Sequence, residues 1–239
     1  MSENVYFTSI LSRTGTSTRR MGCRGLTAII KKNYFSNYKY TFSGTQGENY
    51  GKHVPRDKQG GMARGRRVDN DVERWIKASV RPEASKRAAP QDILNRKHKQ
   101  PHVYAQAFIA LMKKLDLTPL GAQVVVRDEA CNLATLVDGV FLNRAKRVVL
   151  IELKCGFEGY NETSSGKMHA PFGAYSNAPC NQHQLQLAFT RCLFERTFPE
   201  FGKVGALLVR MTNTGAHVHT IRECVDRVVR RIIANAETV

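Results

Sequence analysis

The stretch TLVDGVFLNRAKRVVLIELKCG constrains the fold of this chain more than any other, because two apolar, β-branched runs flank a basic turn and each run carries an acid. Val137, Val140 and Phe141 surround Asp138, and Val148, Val149, Leu150 and Ile151 lead into Glu152. The pattern predicts two neighbouring antiparallel strands, and the fourteen-residue interval between the acids fits a hairpin. A carboxylate at the end of a buried run is costly unless a cation or hydrogen bonds compensate it, and a hard divalent cation prefers carboxylate and carbonyl oxygens. Glu152 and Lys154 are two apart, so on a strand they share a face and an ammonium stands beside the acids. The plainer reading makes Asp138-Gly139 a turn and Glu152 and Lys154 the polar face of an edge strand; acid-x-Lys spacing alone does not separate the two.

A helix is predicted next. In PCNQHQLQLAFTRCLFERTF, Leu185, Ala188, Phe189, Cys192 and Leu193 recur at helical spacing, which places a helix from about Asn181 to Thr197. Gln182 and Gln186 are four apart and lie on one edge of that stripe, with Gln184 on the other. Neutral amides at the border of a core hold a water or a phosphate oxygen without adding charge; otherwise they are a solvated helix edge.

The order helix, strand, strand with Asp138-Gly139, strand with Glu152-Leu153-Lys154, helix with QHQLQLAFT, strand resembles the PD-(D/E)xK nuclease superfamily, in particular its lambda-exonuclease-like branch of phage and viral recombination nucleases. The resemblance covers roughly Gly65 to Ile233. Val137 stands where the family has Pro, and no Tyr follows a Gln by four residues. The fold implied is α/β (α+β) with a restriction-endonuclease-like core, a central mixed β-sheet of about four to five strands flanked by helices.

The resemblance further implies that Asp138, Glu152 and the Leu153 carbonyl hold one or two Mg²⁺ or Mn²⁺ ions, that Lys154 orients or activates an attacking water, and that Gln182 and Gln186 position water or phosphate. Many members add an acid from an early helix. The matching segment is GRRVDNDVERWIKASV, whose Val68, Val72, Trp75, Ile76 and Ser79 mark an amphipathic helix. Glu73 is the first choice for that acid and Asp69 the second; the alternative for Glu73 is a surface pair with Lys77 worth only a few tenths of a kcal/mol. The activity implied is metal-dependent hydrolysis of DNA phosphodiester bonds, by preference exonucleolytic on duplex ends. The alternatives are an endonuclease on branched or single-stranded nucleic acid, RNA included, and a non-catalytic basic nucleic-acid-binding protein. The setting implied is the nucleus or cytoplasm of an infected host cell, with a homo-oligomer and a recombinase or annealing protein as candidate partners.

Charge points to a polyanion independently: 37 Lys and Arg stand against 20 Asp and Glu, a net +17. Arg66, Arg67, Lys97, Lys99, Arg144 and Lys167 are the candidate backbone contacts. No window approaches the ~18 apolar residues of a membrane span. Six cysteines are scattered without a CxxC pair or zinc spacing, as in a reduced intracellular protein, and Cys155 reads as a small buried hydrophobe.

Residues 1–64 read as a basic, flexible arm and linker, and 65–239 as the nuclease-like domain. The first 47 residues carry seven Lys or Arg and one acid, a composition shared by a DNA-tracking arm and an organellar transit peptide. The basic stretch from Arg81 to Gln100 lies along nucleic acid or is a solvated connection. A helix is expected from about His102 to Leu115, a strand in AQVVVRD, and a long loop from Gly156 to Pro179 whose Tyr160, Phe172 or Tyr175 would stack on an unpaired base. The strands KVGALLVRM and AHVHT and a closing helix opened by a Thr220–Glu223 capping box complete the reading.

Overall fold

The computed structural model describes residues 23–35, 60–80, 101–155 and 166–235. Its centre is the predicted hairpin. Strands β3 (Leu133–Leu142) and β4 (Val148–Cys155) pair antiparallel from Leu142↔Val148 to Gly139↔Ile151. The turn between them closes through Asn143, whose side-chain oxygen accepts the Arg147 N–H at 2.9 Å, with Lys146 in the left-handed region (φ 58°). A preceding strand β2 (Thr118–Asp128) pairs antiparallel along the whole of β3.

Strand β5 (Gly205–Thr212) lies parallel to β4, and β6 (Gly215–Thr220) antiparallel to β5. A two-residue strand β1 (Arg24–Gly25) pairs parallel with Leu133 and Ala134 of β3. The sheet is therefore mixed, open and six-stranded, one or two strands wider than expected; β6 is the short strand read at AHVHT, whereas β1 is a two-residue segment that no apolar run announces. Since β2 occupies one edge of β3, both β1 and β4 share the other edge, and between them residues 135–138 have no strand partner on that side.

Helices cover both faces. On one face α1 (Leu26–Tyr34), α4 (Pro179–Thr197) and α5 (Glu223–Asn235) pack on Val137, Val140, Leu150 and Leu208. On the other, α2 (Gly60–Val80) and α3 (Val103–Lys114) enclose Trp75, Phe108, Phe141, Ile151 and Val209. The stripe read for α2 is buried at Val68, Val72, Trp75 and Ile76, and that for α3 at Ala105, Phe108, Ile109 and Met112. Helix α4 is buried more completely than an amphipathic stripe requires, adding Leu187, Thr190 and Phe194. It is the crossover between parallel β4 and β5, with sheet on one side and α5 and α1 on the other.

Three local expectations change. Leu26 and Ile30, inside the stretch read as an arm, are core residues, so the folded unit takes in α1 as well as residues beyond 65; α2 likewise starts at Gly60. Thr220 does not cap α5: it pairs with Leu207 in β6, the helix starts at Glu223, and Glu223 bonds Arg227 at 3.0 Å. Phe172 is buried in the core and meets Tyr34 edge-on at 5.1 Å, so it is a loop anchor and no base platform. None of the described helices is long and apolar enough to cross a membrane.

Candidate active site

The unpartnered stretch of β3 is where the predicted acids converge. Backbone pairing stops at Gly139↔Ile151, and one step further Asp138 stands opposite Glu152. There the Asp138 side chain replaces a strand neighbour: its Oδ2 accepts the Leu153 N–H at 2.8 Å. A buried amide that the diverging strands would orphan is thereby satisfied, and the carboxylate is held against β4.

Glu152 is 3% exposed. Its Oε1 accepts from Lys154 Nζ at 2.5 Å and from Gln186 Nε2 at 3.0 Å. The shared strand face inferred for Glu152 and Lys154 thus becomes a direct ion pair, and α4 supplies the third group. Burial pushes the Glu152 carboxyl up to about 7; Asp138 and Asp69 push the same way, and Lys154 opposes them. Burial works against the Lys154 ammonium, yet Glu152, Asp138 and Asp69 outweigh it and hold its pKa above the ordinary lysine value. It stays charged and is no proton acceptor near neutrality.

Of the two acids considered on α2, Asp69 is the one coupled to this cluster. Burial raises its pKa to about 6, with further upward pushes from Asp138 and Glu73 and a downward pull from Lys154. Glu73 pairs with Lys77 one turn along, the arrangement that competed with a site role in the sequence. Asp71, two residues from Asp69, is structural: its Oδ2 accepts the His102 N–H at 2.9 Å at the start of α3, and it pairs with Arg74.

The two glutamines of α4 part company. Gln186 reaches Glu152, whereas Gln182 is buried and donates to the Asn177 carbonyl and Oδ1, both at 3.0 Å, fastening the loop before α4. Gln184 sits in the core with its amide 3.3 Å from Cys180 Sγ. Arg66 and Arg144 are exposed and Arg67 half-buried, but nothing gathers them with the acids; Lys167 is exposed in the loop before α4, and Lys97 and Lys99 lie outside the described residues. Two of the three arginines of α5 are engaged within the protein: Arg230 with Glu195 at 2.7 Å and Asp226 at 2.9 Å, and Arg227 with Glu223. Tyr175 lies under Arg222 at 5.5 Å and bonds Cys224 Sγ.

Three residues near the site carried no motif in the sequence. Arg64, on α2, is 7% exposed, lies 5.9 Å from the Tyr104 ring centre, and pairs with no carboxylate among the described residues; its Nε has no hydrogen-bond partner there. It is close enough to Cys155 to lower that thiol's pKa, although burial and Asp69 carry it up to about 12, so Cys155 is an unreactive neutral thiol. His183, one turn before Gln186, is held neutral by burial and by Lys154 and Lys31. Gln123 on β2 points its amide at Asp138 Oδ1, 3.4 Å away. The QHQLQ run named His183 without marking it off from its neighbours, and Arg64 was one of several arginines in GMARGRR.

The donor set suits a hard divalent cation. Asp138 and Glu152 offer carboxylate oxygens from facing positions, and Asp69 adds a third negative charge nearby, against one ammonium. Among the described residues no three His, Cys, Asp or Glu side chains converge as a complete cage. Two carboxylates with open positions fit Mg²⁺, which keeps several of its waters, better than Zn²⁺.

No family model matches the chain, and no curated protein does. Solved structures that are similar to it include the crystal structure of SSO0001, 16% identical over 71% of this chain and 74% of that one, with a TM-score of 0.28, a likeness too slight to bear on fold or function.

Proposed function

We propose that this protein is a metal-dependent nuclease with a restriction-endonuclease-like core, acting by preference as an exonuclease on duplex DNA ends. The observation that carries the reading is the convergence of Asp138, Glu152 and Lys154 where β3 and β4 stop pairing, with Gln186 bonded to Glu152. Asp138, Glu152 and the Leu153 carbonyl would hold Mg²⁺ or Mn²⁺, with Asp69 in place of Glu73 as the acid of the early helix. Bound there, the ion supplies Lewis-acid charge that eases deprotonation of water and neutralises the scissile phosphate.

The chain's own groups do the rest. Lys154, charged and tied to Glu152, orients the attacking water by donating to it and offsets negative charge as the phosphorus centre becomes crowded. Glu152, Asp138 and Asp69 favour its charged form, the form that donates to water. Gln186 fixes the Glu152 carboxylate without adding charge. Arg64 offers a preorganised guanidinium to a phosphate of the bound strand. The net charge of +17 draws nucleic acid to the surface, and binding should weaken steeply with salt.

Purified protein and its Lys154→Ala variant, incubated with end-labelled linear duplex, closed-circular DNA and matched RNA in Mg²⁺, Mn²⁺ or EDTA, test this. Metal-dependent cutting by wild type alone is expected, and sparing of the circle marks an exonuclease. Tight, salt-sensitive binding with no cutting of any substrate overturns the catalytic reading in favour of a basic binding protein.

A further inference from the structure

Among the described residues, four other than glycine have positive φ. Asp116, Asn132 and Lys146 sit at chain reversals, where left-handed backbone is ordinary. Gln123 does not. It lies inside β2 with φ 51°, and the residues on either side remain in the ladder, Ala122 with Gly139 and Val124 with Val137. A strand has no need of a left-handed glutamine, and such strain persists only where its surroundings impose it.

The sheet is distorted on both strands at this one pair. Val124 and Val137 pack into the layer containing α4, whereas Ala122 packs into the opposite layer and Gly139 lies against Ile76 of α2. Side chains two apart on a strand should share a face, so the pleat is interrupted at the residues between them, Gln123 and Asp138. The interruption brings the Gln123 amide 3.4 Å from Asp138 Oδ1 while the Leu153 N–H holds Oδ2.

We infer that Gln123 is a positioning residue for the metal ligand Asp138, and that its left-handed backbone is the device that presents its amide to that carboxylate. This rests on the metal-dependent nuclease reading. Two neutral donors, one on each oxygen, fix the rotation of the carboxylate and leave its other lone pairs for a cation. Lys or Arg in the same place would hold the carboxylate more strongly but would compete with the metal for its charge. The other acid differs: Glu152 Oε1 accepts from the Lys154 ammonium as well as from the neutral amide of Gln186.

The test sets stability against metal affinity in the full chain, using wild type, Gln123→Gly, Gln123→Asn and Asp138→Asn. Mn²⁺ binding is read by titration calorimetry, unfolding by thermal melting, and cutting of linear duplex in Mg²⁺. Gly relieves the strained φ, and Asn tolerates it with an amide one methylene too short, so neither should lower the melting temperature. Both should bind Mn²⁺ about tenfold more weakly, the usual effect of losing a group that orients a metal ligand. Unchanged Mn²⁺ affinity in both, with wild type still cutting, overturns the role of Gln123 and leaves the nuclease standing. Weaker Mn²⁺ binding in both, with a wild type that cuts nothing, supports the role of Gln123 and overturns the nuclease. A wild type that binds no Mn²⁺ overturns both, as does one whose binding survives Asp138→Asn.

Discussion

Gly139 joins the site to the core, and adding one methyl group there has a calculable effect. A Cβ at this position would lie 2.6 Å from Phe141 Cε2 and 3.2 Å from Ile76 Cδ1. The Phe141 ring cannot swing away: it is fully buried, stacked on Trp75 at 6.2 Å and set edge-on to Phe108 at 6.3 Å. Overpacking of this kind costs about 1–3 kcal/mol, and replacing Gly by Ala in a strand returns roughly 0.5 kcal/mol, so Gly139→Ala should destabilise by about 1.5 kcal/mol. At roughly 2–4 °C per kcal/mol for a chain of this size, the melting temperature should fall by about 3–6 °C. The relief that costs least is displacement of β3, which carries Asp138 next door, so metal-dependent cutting should fall as well. Gly65→Ala is the control. It lies in α2 with nothing within 4 Å of where its Cβ would stand, so helix propensity alone should raise the melting temperature by about 2–4 °C. Calorimetric or circular-dichroism melts of the two variants measure the contrast. If Gly139→Ala melts within about 1 °C of wild type, the ring is not pinned and the reasoning fails.

Arg64→Met removes a buried guanidinium that has no carboxylate partner among the described residues, so the variant should melt at the same or a higher temperature. Its affinity for duplex should drop, and the slope of log affinity against log salt should shrink by about 0.9 in binding titrations, the value for one lost phosphate contact. Asp128 gives a pH test remote from the site. Burial raises its pKa, but the Arg196 hydrogen bond at 2.5 Å and the Cys131 N–H at 3.0 Å outweigh this and hold it below the ordinary value of 3.8. With the folded-state pKa depressed, the stabilisation is present above pH 3.8 and is lost as pH falls through the folded value. Asp128→Asn should therefore be less stable than wild type near neutrality and lose less on acidification, as read from urea midpoints across pH.

The hairpin and its acids were legible because a β-branched run broken by a single carboxylate is a strong strand signal with an acid that burial alone disfavours, and the stripes of α2, α3 and α4 because period 3.6 survives in a single sequence. Strand β1 and helix α1 were lost in the basic composition around them: Leu26, Ile30 and Phe35 are only three core residues in a region rich in Ser, Thr and Lys. Gln182 and Gln186 could not be told apart by helical spacing, since what separates them is whether Asn177 or Glu152 lies opposite, a tertiary fact. Glu73 and Asp69 differ by four residues and so lie on the same helical face; the visible i,i+4 lysine was evidence against Glu73 rather than for it. Gln123 could not have been found at all, because a left-handed residue in a strand leaves no mark when it is not glycine.

The distribution of carboxylates across the fold gives the site its meaning. Elsewhere among the described residues the buried and half-buried acids face an arginine or lysine: Asp71 with Arg74, Glu73 with Lys77, Asp128 with Arg196, Glu195 with Arg230, and Asp226 with Arg191 and Arg230. Asp69, Asp138 and Glu152 break that rule, three acids sharing Lys154 in a chain with 37 Lys and Arg available. A protein of net +17 does not lack cations for ordinary neutralisation. Burial first, and the neighbouring carboxylates after it, raise the pKa of Asp69 and of Glu152, and that unfavourable charge is a cost to the fold. The deficit makes sense if a cation from solution completes the charge, and Arg64, a buried cation with no acid among the described residues, is its counterpart a short distance away. On the proposed reading the acids would hold a divalent metal and Arg64 an anion, the pairing that phosphodiester hydrolysis would use and that a merely basic binding surface would not need.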